Sequence, residues 1–249
     1  MLYATLVFWL IIIVLAAGGV HRLWTGMAQP RVVNMLLLPG TLMAQLGHVL
    51  GLLITGATVN DTTLYKDDET GEPGMTRDPK PRIPIVGPMA IGMLPLLSCA
   101  IALFFAAGTL GDAVMAGIGE FQLAATLPTT LAGFWQMMRD QITLMEALFH
   151  AVWLGFPGEW PFWLFLYLMI CLTVRMAPFP GTLRGTLAAI VVLGVLAALL
   201  GQVVDSLPSR IEQGWTLLSM TVATLVFLLC VSAIIRGVAS LTRLLASGQ

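Results

Sequence analysis

Residues 38–57 read LPGTLMAQLGHVLGLLITGA, a stretch that contains no Asp, Glu, Lys or Arg. A helix needs about 20 apolar residues to cross the hydrocarbon of a bilayer, so the stretch is long enough to span a membrane. Gln45 and His48 interrupt it, and polar side chains at membrane depth need a partner or a role. Gly47 and Gly51 stand four residues apart, a spacing that lets two helices approach closely. The stretch therefore predicts a membrane helix that packs tightly against a neighbour.

The whole chain has the same apolar character. It is 58% hydrophobic and 10% charged, which is less than half the charged fraction of a typical soluble domain. The sequence therefore predicts an all-α integral membrane protein, with a single membrane domain over residues 1–249. We expect about six transmembrane helices, in stretches that lack acidic and basic residues: 2–20, 32–60, 83–111, 160–174, 185–204 and 213–235.

Three segments of this domain carry more specific expectations. Residues 1–20 are expected to be an N-terminal anchor, because their apolar run has no basic segment before it and exceeds the roughly 7–15 residues of a signal peptide. Residues 61–82 form a charged, polar loop, and residues 57–65 favour a short β-hairpin. Residues 112–159 are expected to hold an interfacial or re-entrant helix from about Thr129, with an apolar stripe at Phe134, Met138, Ile142, Met145 and Phe149.

The orientation of such a chain follows from its basic residues and its number of spans. Six alternating spans place both termini on one side, and the basic residues favour the cytoplasm for that side. One further crossing within residues 112–159 would reverse every later span. The expected location is the inner membrane of a bacterium.

Charge and cysteine content exclude several classes of protein. The net charge is −1, so the chain lacks the positive field that nucleic-acid binding requires. Cys99, Cys171 and Cys230 each lie within an apolar run, where they form neither a disulfide framework nor a zinc ribbon. We interpret them as small core residues.

The stretch at 38–57 resembles the site-2 protease superfamily of intramembrane zinc metalloproteases. Members carry a Pro-Gly, then the motif H-E-x-x-H on a membrane helix, then small residues ending in Gly-Ala before a β-prone segment. Pro39-Gly40 and Gly56-Ala57 match the two ends of this pattern. The segments RIPIVGP at 82–88 and RMAPFPGTLRG at 175–185 extend the resemblance, which gives a protease-like core over residues 33–204.

The residues that such a protease needs for catalysis are mostly replaced here. The resemblance places Ala44 at the first histidine, Gln45 at the catalytic glutamate and His48 at the second histidine. It places Thr182 at the aspartate that supplies the third zinc ligand, with Phe179 at a serine nearby. Alanine has no ligand atom, and glutamine accepts no proton near neutral pH. The resemblance therefore implies an inactive enzyme with no catalytic residue, no bound metal and no cofactor.

The leading hypothesis is a non-catalytic relative of these proteases that acts as a structural or regulatory subunit of a membrane complex. Its expected partners are other membrane proteins, bound through helix–helix contacts, and the lipid bilayer. The simplest interpretation of His48, which stands beside this hypothesis, is a neutral imidazole hydrogen-bonded to a neighbouring helix, with Gln45, one turn away, as an expected partner.

Two further hypotheses use a second polar pair, Glu146 and His150, which share one helix face and can also be a simple helix contact. In the first, His48 joins Glu146 or His150 as the ligands of an active intramembrane zinc protease. In the second, the chain is an accessory subunit of a redox or transport complex, in which these side chains relay protons or touch a quinone. His48 and His150 are also the two histidines that a b-type haem between helices would need.

Overall fold

The computed structural model describes residues 2–57, 81, 82, 84, 86–118, 122–154, 159–179, 181–204 and 206–247. These residues form helices joined by turns and irregular segments, with no strand among them. In chain order the helices are α1 (Leu2–Met27), α2 (Pro30–Leu36), α3 (Leu38–Thr55), α4 (Val86–Leu110), α5 (Asp112–Ile118), α6 (Leu131–Leu154), α7 (Trp160–Val174), α8 (Leu183–Leu200) and α9 (Leu207–Ser247).

The helices confirm an all-α, multi-pass membrane protein. Within the described residues, five helices are long and apolar enough to cross a bilayer: Leu2–Met27, Leu38–Thr55, Val86–Leu110, Leu183–Leu200 and Gly214–Thr242. The expected span at 160–174 corresponds to α7, which is apolar but shorter than the other five. The count of six spans is therefore not confirmed. The β-hairpin expected at 57–82 falls mainly on residues 58–80, which lie outside the described residues.

The expected span at 32–60 is divided into two helices. α2 ends at Leu36, and α3 begins at Leu38 with a proline in its first turn. Proline is well tolerated there, because its missing N–H would have no partner within the helix. Gly56 ends α3 with a φ of 65°, a left-handed conformation that glycine adopts without steric cost.

α4 is the central helix of the bundle. It packs against α3, α7 and α8, and its most extensive contact is with α3. α3 and α4 run antiparallel, because Gly47 lies against Leu94 whereas Gly51 lies against Ile91. This antiparallel pair sets the position of the residues around His48.

α1 and α9, the first and last helices, lie side by side in the same direction. Gly19 is next to Leu229, Trp24 donates a hydrogen bond to Ser232 Oγ at 2.8 Å, and Gly26 faces the guanidinium of Arg236. Residue numbers therefore increase together along the contact, from Gly19 and Leu229 to Gly26 and Arg236, so the two helices are parallel. α8 lies against the opposite part of α1, where Gly194 meets Val7.

The helix expected near Thr129 is present as α6, and its apolar stripe lies mostly on the outer surface of the bundle. Phe134, Met138, Ile142 and Phe149 are exposed, whereas α6 packs inward through Met137, Gln141, Leu144, Leu148 and Ala151. A 24-residue helix with two apolar faces packs one face on the bundle and presents the other outward.

The interpretation of the three cysteines as core residues holds for two of them. Cys99 and Cys171 are buried, but Cys230 is exposed. Cys230 lies on α9, and in a membrane an apolar run predicts contact with lipid as readily as burial in protein. The run of apolar residues therefore cannot place a cysteine in the core by itself.

Candidate functional site

Two glycines allow the backbones of α3 and α4 to touch. A Cβ atom at Gly47 would lie 2.7 Å from the carbonyl carbon of Leu94 and 2.8 Å from the Cα of Pro95. A Cβ atom at Gly51 would lie 3.0 Å from the Cα of Ile91. Any side chain at Gly47 would therefore have to displace backbone atoms, as the small-residue spacing predicts for a close helix crossing.

His48 lies beside this crossing and is almost completely buried, with 1% of its surface exposed. The ring of Phe179 meets the imidazole edge to face, with 5.6 Å between ring centroids and 71° between planes. A backbone group of Ile91 interacts with the ring, but neither ring nitrogen has a well-formed hydrogen bond with the described residues. The prediction that Gln45 forms a hydrogen bond with His48 is therefore wrong. The side chain of Phe179 occupies the space beside the ring, and this side chain carries no hydrogen-bonding group.

The other positions that the resemblance singles out lie around His48 or on the segment of Phe179. Ala44 and Gln45 are buried on α3. Thr182 is half-buried at the start of α8, where its hydroxyl donates a hydrogen bond of 2.9 Å to the Phe179 carbonyl oxygen. The hydroxyl of Thr182 thus stabilises the turn that carries Phe179. Segment 175–185, which the resemblance predicts to supply the third zinc ligand, does lie next to His48. The residue of this segment that contacts His48 is Phe179, through its aromatic ring.

A second polar cluster joins α1, α2 and α7. The Arg175 guanidinium is 7% exposed and donates a hydrogen bond of 2.7 Å from Nη2 to Oδ1 of Asn34. Nε2 of His21 lies 3.4 Å from the same oxygen. Arg175 directly follows α7, where the partial negative charge of the helix C-terminus favours a cation.

Two buried thiols surround the same arginine. Cys99 on α4 contacts the carbonyl oxygens of Gly40 and Arg175, each at 3.8 Å. Cys171 on α7 donates to the carbonyl oxygen of Leu36 at 3.4 Å, and the Tyr167 hydroxyl donates to the same oxygen at 2.8 Å. The break between α2 and α3 leaves this carbonyl free to accept both bonds. The cluster therefore ties five helices together at the point where α2 ends: α1, α2, α3, α4 and α7.

The sequence alone predicts no role for this cluster. One signal was present, because Asn34 interrupts an apolar run and a polar side chain at that depth requires a partner. The partner could not be named, because Arg175 is 141 positions away and borders a loop. Its position at the end of an apolar span is equally typical of an arginine that faces the membrane surface.

Glu146 and His150 are in a different part of the molecule. Both are exposed on α6, where they line an open groove of about 660 Å³ between α6 and α9, with Phe227 as the residue from α9. His48 instead faces α4 and Phe179. Within the part of the chain that the structure describes, no group of three or more His, Cys, Asp or Glu side chains is placed to hold a metal ion.

No family model matches the chain, and no curated protein or solved structure matches it either. The relationship to site-2 proteases therefore stays a prediction from the residues of α3 and of segment 175–185. What the structure adds is the neighbourhood of His48, where a phenylalanine ring stands beside the imidazole.

Proposed function

We propose that this protein is a non-catalytic subunit of a membrane complex, located in a bacterial inner membrane, with a core that resembles a site-2 protease and binds membrane helices without cleaving them. The observation that carries the proposal is the packing of Phe179 against His48, because an apolar ring takes the place where a zinc site needs an oxygen or nitrogen ligand. Ala44 supplies no ligand atom, and Gln45 supplies no base.

The outer surface of the bundle supports a role in assembly. α8 is only sparsely buried within the chain, and its outward side is a continuous band of aliphatic residues, among them Val191, Val195, Leu196 and Leu199. Such a band packs against lipid or against another apolar helix, and neither contact requires a metal. The partners of the protein are other membrane proteins, bound through faces of this kind.

The two alternative functions are less well supported. An active protease that combined His48 with Glu146 or His150 would need ligands from α3 and α6 on one metal, but the pair on α6 lines a groove toward α9. A haem held by His48 and His150 meets the same difficulty. A redox or transport subunit that uses only Glu146 and His150 would place its site on the outer surface of α6.

Replacing His48 by alanine is expected to loosen the core without removing any hydrolytic activity. The substitution leaves a cavity beside Phe179, and truncating a buried side chain of this size costs about 2–3 kcal/mol. Thermal unfolding of the detergent-solubilised protein measures the loss. His150→Ala is the matched control, since His150 is exposed, and its midpoint should stay close to the parent value. A cleavage activity that disappears with His48→Ala would contradict the proposal.

The topology we propose places the two termini on opposite sides of the membrane. α1 and α9 are parallel, and two parallel helices that both cross a bilayer put the N-terminus of one and the C-terminus of the other on opposite faces. An odd number of crossings meets this condition. This departs from the six alternating spans that the sequence predicts.

Protease protection in sealed membrane vesicles tests this topology. With an epitope tag at each end of the full chain, protease added outside should remove one tag and leave the other intact. Detergent-permeabilised vesicles, in which both tags must be digested, are the control. If both tags are digested in sealed vesicles, or both are protected, the proposed topology is wrong.

A further inference from the structure

We infer that the groove between α6 and α9 binds the headgroup of an ethanolamine phospholipid. The groove has a volume of about 660 Å³ and is open along one side. Its lining is mainly apolar, with one carboxylate and one imidazole: Ile142, Thr143, Met145, Glu146, Ala147, Phe149, His150 and Phe227. The site does not depend on any of the residues around His48.

The charges of the groove indicate what it binds. Glu146 presents a carboxylate to an apolar surface, and none of the described residues that line the groove is a lysine or an arginine. His150 can donate one hydrogen bond to Glu146, but a carboxylate on such a surface is stabilised further by a ligand cation that carries several hydrogen-bond donors. A primary ammonium group does so, whereas a quinone carbonyl or an anionic lipid headgroup does not.

The spacing of Glu146 and His150 favours a phospholipid whose ammonium and phosphate groups are close together. Residues four apart on a helix have Cβ atoms about 5–6 Å from each other, so Glu146 and His150 face the ligand together. In an ethanolamine phospholipid two carbons separate the ammonium group from the phosphate. The carboxylate of Glu146 then accepts from the ammonium, while an imidazole N–H of His150 donates to a phosphate oxygen.

The surroundings of the groove suit a lipid whose headgroup lies at the membrane surface. Trp153 is exposed one turn after Phe149, and exposed tryptophans concentrate at the level of the lipid headgroups. Phe149 stacks on Trp153, with 6.4 Å between ring centroids and 20° between planes. This aromatic pair and Phe227 provide an apolar wall along which acyl chains can lie.

Native mass spectrometry of the full chain, with added phospholipids of identical acyl chains, tests the inference. The ethanolamine lipid should bind about three- to fivefold more tightly than the choline or glycerol lipid, the range expected for one exposed charge-assisted contact. Glu146→Gln should remove this preference. Asp140→Asn, which removes the same charge on the same helix at a residue bonded to Gln136, should keep it.

A second measurement uses the unaltered groove. Ethanolamine lipid with brominated acyl chains should quench the fluorescence of Trp153, identified as the signal lost in Trp153→Phe, more strongly than brominated choline lipid. Equal binding of the three lipids, a preference for the glycerol lipid, or an ethanolamine preference that survives Glu146→Gln would each overturn the inference. These outcomes are independent of zinc content and of partner binding, so they do not decide the proposed function.

Discussion

Replacing Gly47 by alanine is expected to lower the free energy of unfolding by about 1–3 kcal/mol, the cost of overpacking a close contact. The new Cβ atom would lie 2.7 Å from the carbonyl carbon of Leu94, which is backbone and cannot rotate away. α3 and α4 would have to separate, and the core around His48 would open with them. Thermal or denaturant unfolding in detergent measures the change.

Gly18→Ala is the matched control for this substitution. Gly18 also lies inside a long apolar helix, but a Cβ atom there would meet no other atom within 4 Å. Alanine is the better helix former, so this variant should be neutral or more stable by up to about 1 kcal/mol. If the two variants were equally stable, α3 and α4 would not cross at Gly47.

Breaking the buried contact between Arg175 and Asn34 is the second large effect that we expect. Asn34→Leu and Arg175→Met should each lower stability by about 1.5–3 kcal/mol, the range for a buried hydrogen bond to a charged group. Each single change leaves the other polar side chain in the core without this partner. The double variant should lose less stability than the sum of the two single variants. In the double variant neither polar side chain remains in the core without the other.

Unfolding of the two single variants and of the double variant gives the coupling directly. Arg184→Met is the control, because Arg184 is exposed at the start of α8 and should change stability by less than about 0.5 kcal/mol. Strictly additive losses in the double variant would show that Arg175 and Asn34 act independently. The hydrogen bond of 2.7 Å between them would then contribute nothing to the free energy of unfolding.

The helices and one of their close crossings could be predicted from the sequence, because both depend on local pattern. Stretches without charged residues predicted the long apolar helices. The spacing of Gly47 and Gly51 predicted a tight helix contact, and the structure shows this contact as the crossing of α3 and α4. Such features need only residues a few positions apart. The break at Leu37 was missed, because a run of apolar residues does not show where a helix bends.

The polar contacts could not be predicted in the same way. Gln45 is the polar residue closest to His48 on its own helix, so local reasoning chose it as the partner. The structure places Phe179 beside His48 instead, from a segment 131 positions further along the chain.

Native mass spectrometry after gentle extraction tests the central claim most directly, because one spectrum reports both bound zinc and bound protein. We predict that the chain appears with other membrane proteins attached and without a stoichiometric zinc ion. A lone chain carrying one zinc ion would contradict the account. It would place a working metal centre at His48 with ligands other than those the resemblance assigns.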